Sequence, residues 1–120
     1  VPVPAIPNFI KELHASLHGV YPNFQIAIFG HVGDGNLHVN VLKPPELADD
    51  MFWSECKKAD EVVFNLVARY RGSISAEHGV GLLKRDFLHY SRSSAEIDLM
   101  RGIKRVLDPK GIMNPGKVFA

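Results

Sequence analysis

The sequence has little of the material from which several protein classes are built. It contains one cysteine, Cys56, which excludes an internal disulfide and indicates a reducing compartment. It has no cluster of basic residues, and a net charge of +1 gives no basis for nucleic-acid binding. No apolar stretch approaches the roughly 20 residues that a transmembrane helix needs. We therefore expect no nucleic-acid partner and no membrane span, and a location in the cytoplasm, or in the mitochondrial matrix if the source is eukaryotic.

The chain is expected to form a single domain, residues 1–120, since 120 residues is an ordinary domain length. A hydrophobic fraction of 46% and a charged fraction of 22% are typical of globular proteins, so a packed core is expected. The first seven residues are rich in proline and carry no initiator methionine. We interpret the chain as a piece of a longer protein.

Apolar residues at helical spacing predict three helices. The first follows Pro7 and stops at Gly19, and the second runs from about Asp49 to Arg71 and stops at Gly72. The third opens at a capping box, Ser93 with Glu96, and ends at Asp108–Pro109. Two strands, 24–29 and 37–42, and a third at 73–76 complete the pattern. This order predicts an α+β fold, in which helices pack on one face of a small antiparallel sheet.

The two histidines His31 and His38 flank a Gly-Asp-Gly-Asn turn between the first two strands. If Asp34 and Gly35 are the central turn residues, His31 faces His38 directly across the hairpin. Opposed side chains in an antiparallel pair are close enough for two imidazoles to reach one ion. Asn40 should lie on the same face as His38, because side chains alternate along a strand.

A glycine-rich turn after the third predicted strand carries Glu77 and His78. His31, His38 and Glu77 would form a two-histidine, one-carboxylate set that suits Zn²⁺, Fe²⁺ or Mn²⁺ with an open position. The spacing alone leaves open that these are surface histidines and an exposed glutamate. A neutral imidazole can take a proton near pH 7, so His78 is a candidate base.

Three segments together resemble a known family. They are 30–40 (GHVGDGNLHVN), 72–84 (GSISAEHGVGLLK) and 108–117 (DPKGIMNPGK). These segments are similar, in the same order, to the C-terminal domain of FAD-linked oxidases. That group includes the D-lactate, glycolate and D-2-hydroxyglutarate dehydrogenases of the vanillyl-alcohol-oxidase type. The resemblance is specific for the family and unspecific for the substrate.

The resemblance implies a role for each matched position. His31, His38 and Glu77 would bind a divalent metal (Zn, Mn or Fe), Asn40 would bind the substrate, and His78 would be the catalytic base. Asn114 would lie near the flavin. The implied reaction oxidises a D-2-hydroxy acid to the 2-oxo acid, with FAD as the hydride acceptor. The implied fold is the ferredoxin-like half of the flavoenzyme cap domain.

The family also implies an FAD-binding domain, which these 120 residues do not contain. We therefore expect this chain to be the C-terminal part of a longer flavoenzyme and to be inactive alone. The sequence does not identify the electron acceptor, and it leaves a homo-oligomer open. Two alternatives are a non-catalytic interaction domain that retains the fold and a stand-alone metallohydrolase.

Overall fold

The computed structural model describes residues 1–119 and contains three helices and one two-stranded antiparallel sheet. The elements in chain order are α1 (Ile6–Val20), β1 (Gln25–Phe29), β2 (His38–Leu42), α2 (Asp49–Arg69) and α3 (Ser94–Leu107). Short 3₁₀ turns occur at Val3–Ala5, Val32–Asp34 and Arg85–Tyr90. This confirms the predicted α+β class. Every helix within residues 1–119 is too short or too polar to span a bilayer.

The chain divides into two compact units, Val1–Gly72 and Ser73–Ala120. The first contains α1, the hairpin and α2, and the second contains α3. In the first unit, α1 and α2 pack on each other through apolar side chains. The buried members are Ile6, Phe9, Leu13 and Leu17 of α1 and Ala59, Phe64, Leu66 and Val67 of α2. Apolar side chains of both helices therefore form the core of this unit.

Tyr70 closes the end of the α1–α2 contact. Its ring meets Phe9 edge-on at 5.4 Å, and its hydroxyl donates a hydrogen bond to Glu12 at 2.7 Å. Arg69 adds an ion pair with the same carboxylate at 3.3 Å. Because edge-on aromatic pairs contribute beyond their buried area, this cluster fixes the two helices against each other.

The helix boundaries differ slightly from those predicted. Gly19 lies inside α1, which continues to Val20, where Tyr21 donates its N–H to Leu17 O at 2.7 Å. The second helix begins at Asp49 as predicted but ends at Arg69. Gly72 then donates its N–H to Val67 O at 2.8 Å, so the helix stops before Gly72 as predicted but is shorter than predicted.

The register of the hairpin is a correction to the sequence prediction. Phe29, not His31, pairs with His38. His31 lies in the loop, where its carbonyl accepts the N–H groups of Asp34 at 3.0 Å and Asn36 at 3.2 Å. These bonds replace ladder bonds and lengthen the loop. The pairing slips by two residues, so the side chains within the paired strands keep their predicted faces.

The predicted third strand, Ser73–Ala76, does not form in the second unit. The backbone groups of Ile74 bind side chains instead of a neighbouring strand: its N–H donates to Ser91 Oγ and its carbonyl accepts from Lys84 Nζ. The capping box of α3 is confirmed, since Ser93 Oγ accepts from the Glu96 N–H and the Glu96 carboxylate accepts from the Ser93 N–H. The helix ends at Leu107, before Asp108 and Pro109, as predicted.

Candidate functional site

Of the two predicted metal ligands in the first unit, His38 has the more restricted side chain. It is the first residue of β2, and its ring stacks on that of Phe29 across the strand pair, at 5.1 Å between centroids and 10° between planes. The side chain is half-buried. Strand pairing and stacking together limit the directions in which the imidazole nitrogens can point.

His31 is exposed and directly precedes the 3₁₀ turn Val32–Asp34. Its position depends on Gly30, whose φ of +141° places the backbone in a region that side chains disfavour. A Cβ at Gly30 would lie 2.5 Å from Asn36 O. The loop therefore requires glycine immediately before the histidine.

Asn40 lies two residues after His38 on the same face of the hairpin, as predicted. It pairs with Ala27, and its side chain is exposed. The opposite face carries the half-buried residues Ile26, Ile28, Val39 and Val41. One face of the hairpin thus carries an imidazole and an amide side by side.

Glu77 and His78 lie in a turn of the second unit. Ser75 Oγ donates to Gly79 O at 2.6 Å and closes the turn around them. Glu77 Oε1 and His78 Nε2 are 4.0 Å apart, and their side chains are 46% and 75% exposed. The turn presents a carboxylate and an imidazole from adjacent positions, which lets one serve as a ligand and the other as a base.

Lys84 and Ser91 support this turn. The sequence allows Lys84 to place a charge near the site, and it does not identify Ser91 at all. The sequence favours a surface role for Lys84, but its ammonium donates to Ile74 O at 2.9 Å and is partly buried. Ser91 accepts from the N–H of the same residue at 2.8 Å. The only sequence signal is Ile74 itself, an apolar residue three positions before Glu77 whose burial requires a fixed backbone.

Asp108 organises the segment that follows α3. Its buried carboxylate accepts hydrogen bonds from Lys104 Nζ, from Ile112 N–H at 3.0 Å and from Met113 N–H at 2.9 Å. Its pKa lies below the usual aspartate value, chiefly because of the Lys104 hydrogen bond and also because of the two backbone donors; burial acts in the opposite direction. A buried, charged side chain therefore fixes the backbone directly after α3.

Asn114 lies in the turn that this carboxylate fixes. Its backbone is left-handed, with φ of +48°, and its carbonyl accepts from Lys117 N–H at 3.2 Å. Arg85 holds the other side of the turn by donating to Gly116 O at 3.0 Å. The side chain of Asn114 is exposed, so it is available to a ligand.

Comparison with known proteins places these residues in a family. The profile of "FAD linked oxidases, C-terminal domain" matches residues 1–118. The chain is 55% identical over 120 residues to a protein of Stutzerimonas stutzeri (strain A1501) named D-2-hydroxyglutarate dehydrogenase, a match that covers 100% of this chain and 26% of the relative. A Xanthomonas citri pv. viticola protein of the same name is 50% identical over 119 residues, 99% of this chain and 25% of the relative.

A third relative is more distant. The mitochondrial D-2-hydroxyglutarate dehydrogenase of Danio rerio is 40% identical over 119 residues, 99% of this chain and 21% of the relative. The chain thus spans about a quarter of the length of the two bacterial relatives. A profile match over nearly every residue, together with identities of this size, shows that the chain belongs to the family described as "FAD linked oxidases, C-terminal domain".

Proposed function

We propose that this chain is the substrate- and metal-binding C-terminal part of an FAD-dependent dehydrogenase that oxidises D-2-hydroxyglutarate to the corresponding 2-oxo acid. The observation that carries the proposal is the 55% identity over the whole chain to a protein named for that activity. The family description supports FAD as the cofactor.

The donor chemistry of His31, His38 and Glu77 fits a divalent metal. Two imidazoles and one carboxylate are the ligands that Zn²⁺, Fe²⁺ and Mn²⁺ accept, and three protein ligands leave positions open for a substrate. His38 is oriented by Phe29, and Glu77 lies in a turn closed by Ser75. Ligands whose own neighbours fix their orientation are what a metal site needs.

The remaining residues each have a separate role toward the substrate or the cofactor. When bound, the metal supplies Lewis-acid polarisation and FAD supplies the oxidising chemistry. His78 accepts the proton of the substrate hydroxyl at a ring nitrogen, and Asn40 donates its amide hydrogens to a substrate oxygen. Asn114 contacts the flavin from its exposed turn.

The test is turnover by the full-length protein. We expect it to carry bound FAD, visible as flavin absorbance, and to reduce an artificial electron-accepting dye with D-2-hydroxyglutarate. His78→Gln should lower kcat by roughly 10²–10⁴-fold, the usual contribution of a general base, without loss of flavin absorbance.

The matched control is His18→Gln, which changes an exposed histidine of α1 and should leave turnover unchanged. A full-length protein without flavin, or one that leaves D-2-hydroxyglutarate unoxidised, would contradict the proposal. A His78→Gln variant as active as His18→Gln would remove His78 from the mechanism and leave the substrate assignment standing.

A further inference from the structure

The segment that carries Glu77 and His78 belongs to no helix or strand, yet its backbone is fixed. Ile74 is its anchor: the residue is 7% exposed, the N–H donates to Ser91 Oγ at 2.8 Å and the carbonyl accepts from Lys84 Nζ at 2.9 Å. Both backbone polar groups of this residue are therefore satisfied by side chains. That arrangement fixes the peptide three residues before Glu77.

Hydrogen bonds from two serines connect this anchor to the turn that carries Glu77 and His78. Ser73 Oγ donates to Ser75 O at 2.9 Å, and Ser75 Oγ donates to Gly79 O at 2.6 Å. The second bond spans Glu77 and His78. The two side chains consequently project from a closed turn whose entry is fixed by Ile74.

The ammonium of Lys84 differs from that of a typical surface lysine. It is partly buried, and within residues 1–119 it bonds a backbone carbonyl and forms no ion pair with a carboxylate. Burying a charge without a carboxylate partner is costly, and a charged donor makes a stronger hydrogen bond than a neutral one. The hydrogen bond to the Ile74 carbonyl explains a lysine at this position better than a contribution to solubility does.

We propose that Lys84 is a positioning residue for Glu77 and His78, acting through its hydrogen bond to the Ile74 carbonyl. The inference rests on the proposed function, because Lys84 acts only through a proposed ligand and a proposed base. Residues that orient metal ligands typically change metal affinity by about 10- to 100-fold when removed.

The experiment uses full-length, FAD-bound protein stripped of metal by a chelator. Three variants are compared with wild type: Lys84→Met, which removes the donor; Lys84→Arg, which retains a charged donor; and Lys57→Met, a matched change at an exposed lysine of α2. Two quantities are measured on each, the dissociation constant of Zn²⁺ alone and the rate of amide hydrogen exchange in peptides covering residues 73–84.

We expect Lys84→Met to weaken Zn²⁺ binding by about 10- to 100-fold and to speed exchange in 73–84, because the turn then opens more often. Lys84→Arg should recover most of the affinity, and Lys57→Met should match wild type.

Each other result overturns the inference at a separate step. Unchanged exchange in Lys84→Met shows that Lys84 does not hold the turn, whatever the protein binds. Faster exchange with unchanged Zn²⁺ affinity assigns Lys84 a structural role only. A wild-type protein that binds no Zn²⁺ fails the proposed function first and removes the positioning role with it.

A second pair of variants decides the question if Lys84→Met does not fold. Ser75→Ala removes the hydroxyl that closes the turn, whereas Ser75→Thr keeps it. We expect Ser75→Ala to bind Zn²⁺ more weakly and Ser75→Thr to resemble wild type. Equal affinity in the two Ser75 variants would show that a fixed turn is not needed for the metal.

Discussion

Gly30 is the residue on which the loop between the two hairpin histidines depends. Its φ of +141°, and the 2.5 Å that would separate an added Cβ from Asn36 O, leave no room for a side chain. Gly33, three residues later, has open space around the same position and an ordinary φ. The same loop thus offers a glycine that is required and one that is replaceable.

Gly30→Ala should destabilise the chain by about 1–3 kcal/mol, the usual cost of a residue forced into a sparsely populated conformation. Its Zn²⁺ affinity should fall as well, because His31 follows directly. Gly33→Ala should stay close to wild type. Urea unfolding and Zn²⁺ titration of the two variants measure both effects, and equal stability would show that the loop tolerates a side chain at residue 30.

Single residues are more predictable from the sequence than their partners are. The sequence places His38 and Asn40 on one face correctly, because a slip of two residues preserves the alternation of a strand. The pairing of His38 with Phe29 is not predictable, since it depends on hydrogen bonds that the loop makes to the His31 carbonyl. A turn motif specifies the presence of a hairpin more securely than its register.

The helices are predictable from the sequence, because the residues that specify them lie close to them in the chain. The apolar spacing of α1 and α2 and the capping box of α3 lie within or directly beside the helices that they specify. The strand predicted at 73–76 fails because Ser91 and Lys84, distant in sequence, bind the backbone groups of Ile74. From the sequence alone, an apolar residue flanked by serines is compatible with a strand, because the side chains that bind its backbone cannot be identified there.

The buried carboxylate of Asp108 fixes the backbone directly after α3. Its folded-state pKa is lowered, chiefly by Lys104, so the ionised form favours folding above the unfolded-state pKa. That contribution is lost as the pH falls through the folded-state pKa. Asp108→Asn should therefore lower the unfolding midpoint most at neutral pH, and the difference from wild type should shrink on acidification.

Thermal unfolding of the chain from neutral pH to about pH 3, below the ordinary aspartate pKa, measures this dependence. The control is Asp98→Asn, which alters an exposed aspartate of α3 paired with Arg101 at 3.6 Å and should change the midpoint little at any pH. If the difference in unfolding midpoint between Asp108→Asn and wild type stayed constant with pH, the effect would come from the shape of the side chain and not from its charge.

At the scale of the whole molecule, the proposed metal and the flavin rest on different observations. Residue types and turns of this chain indicate the metal donors, because His31, His38 and Glu77 carry suitable ligand atoms. No residue pattern here specifies the flavin, which follows from the family alone. Removing the metal while keeping the flavin therefore separates the two contributions.

Dialysis of the full-length protein against a chelator should abolish turnover of D-2-hydroxyglutarate and leave flavin absorbance unchanged. Addition of Zn²⁺, Mn²⁺ or Fe²⁺ should restore turnover, since the donor set accepts each of these ions. His38→Ala should not be restored, because it lacks a ligand that Phe29 holds in place. His18→Ala, at an exposed histidine of α1, should be restored like wild type. If the metal-free protein, verified by elemental analysis, oxidised the substrate at the wild-type rate, the two histidines of the hairpin would need another role, and the family's flavin would suffice for the chemistry.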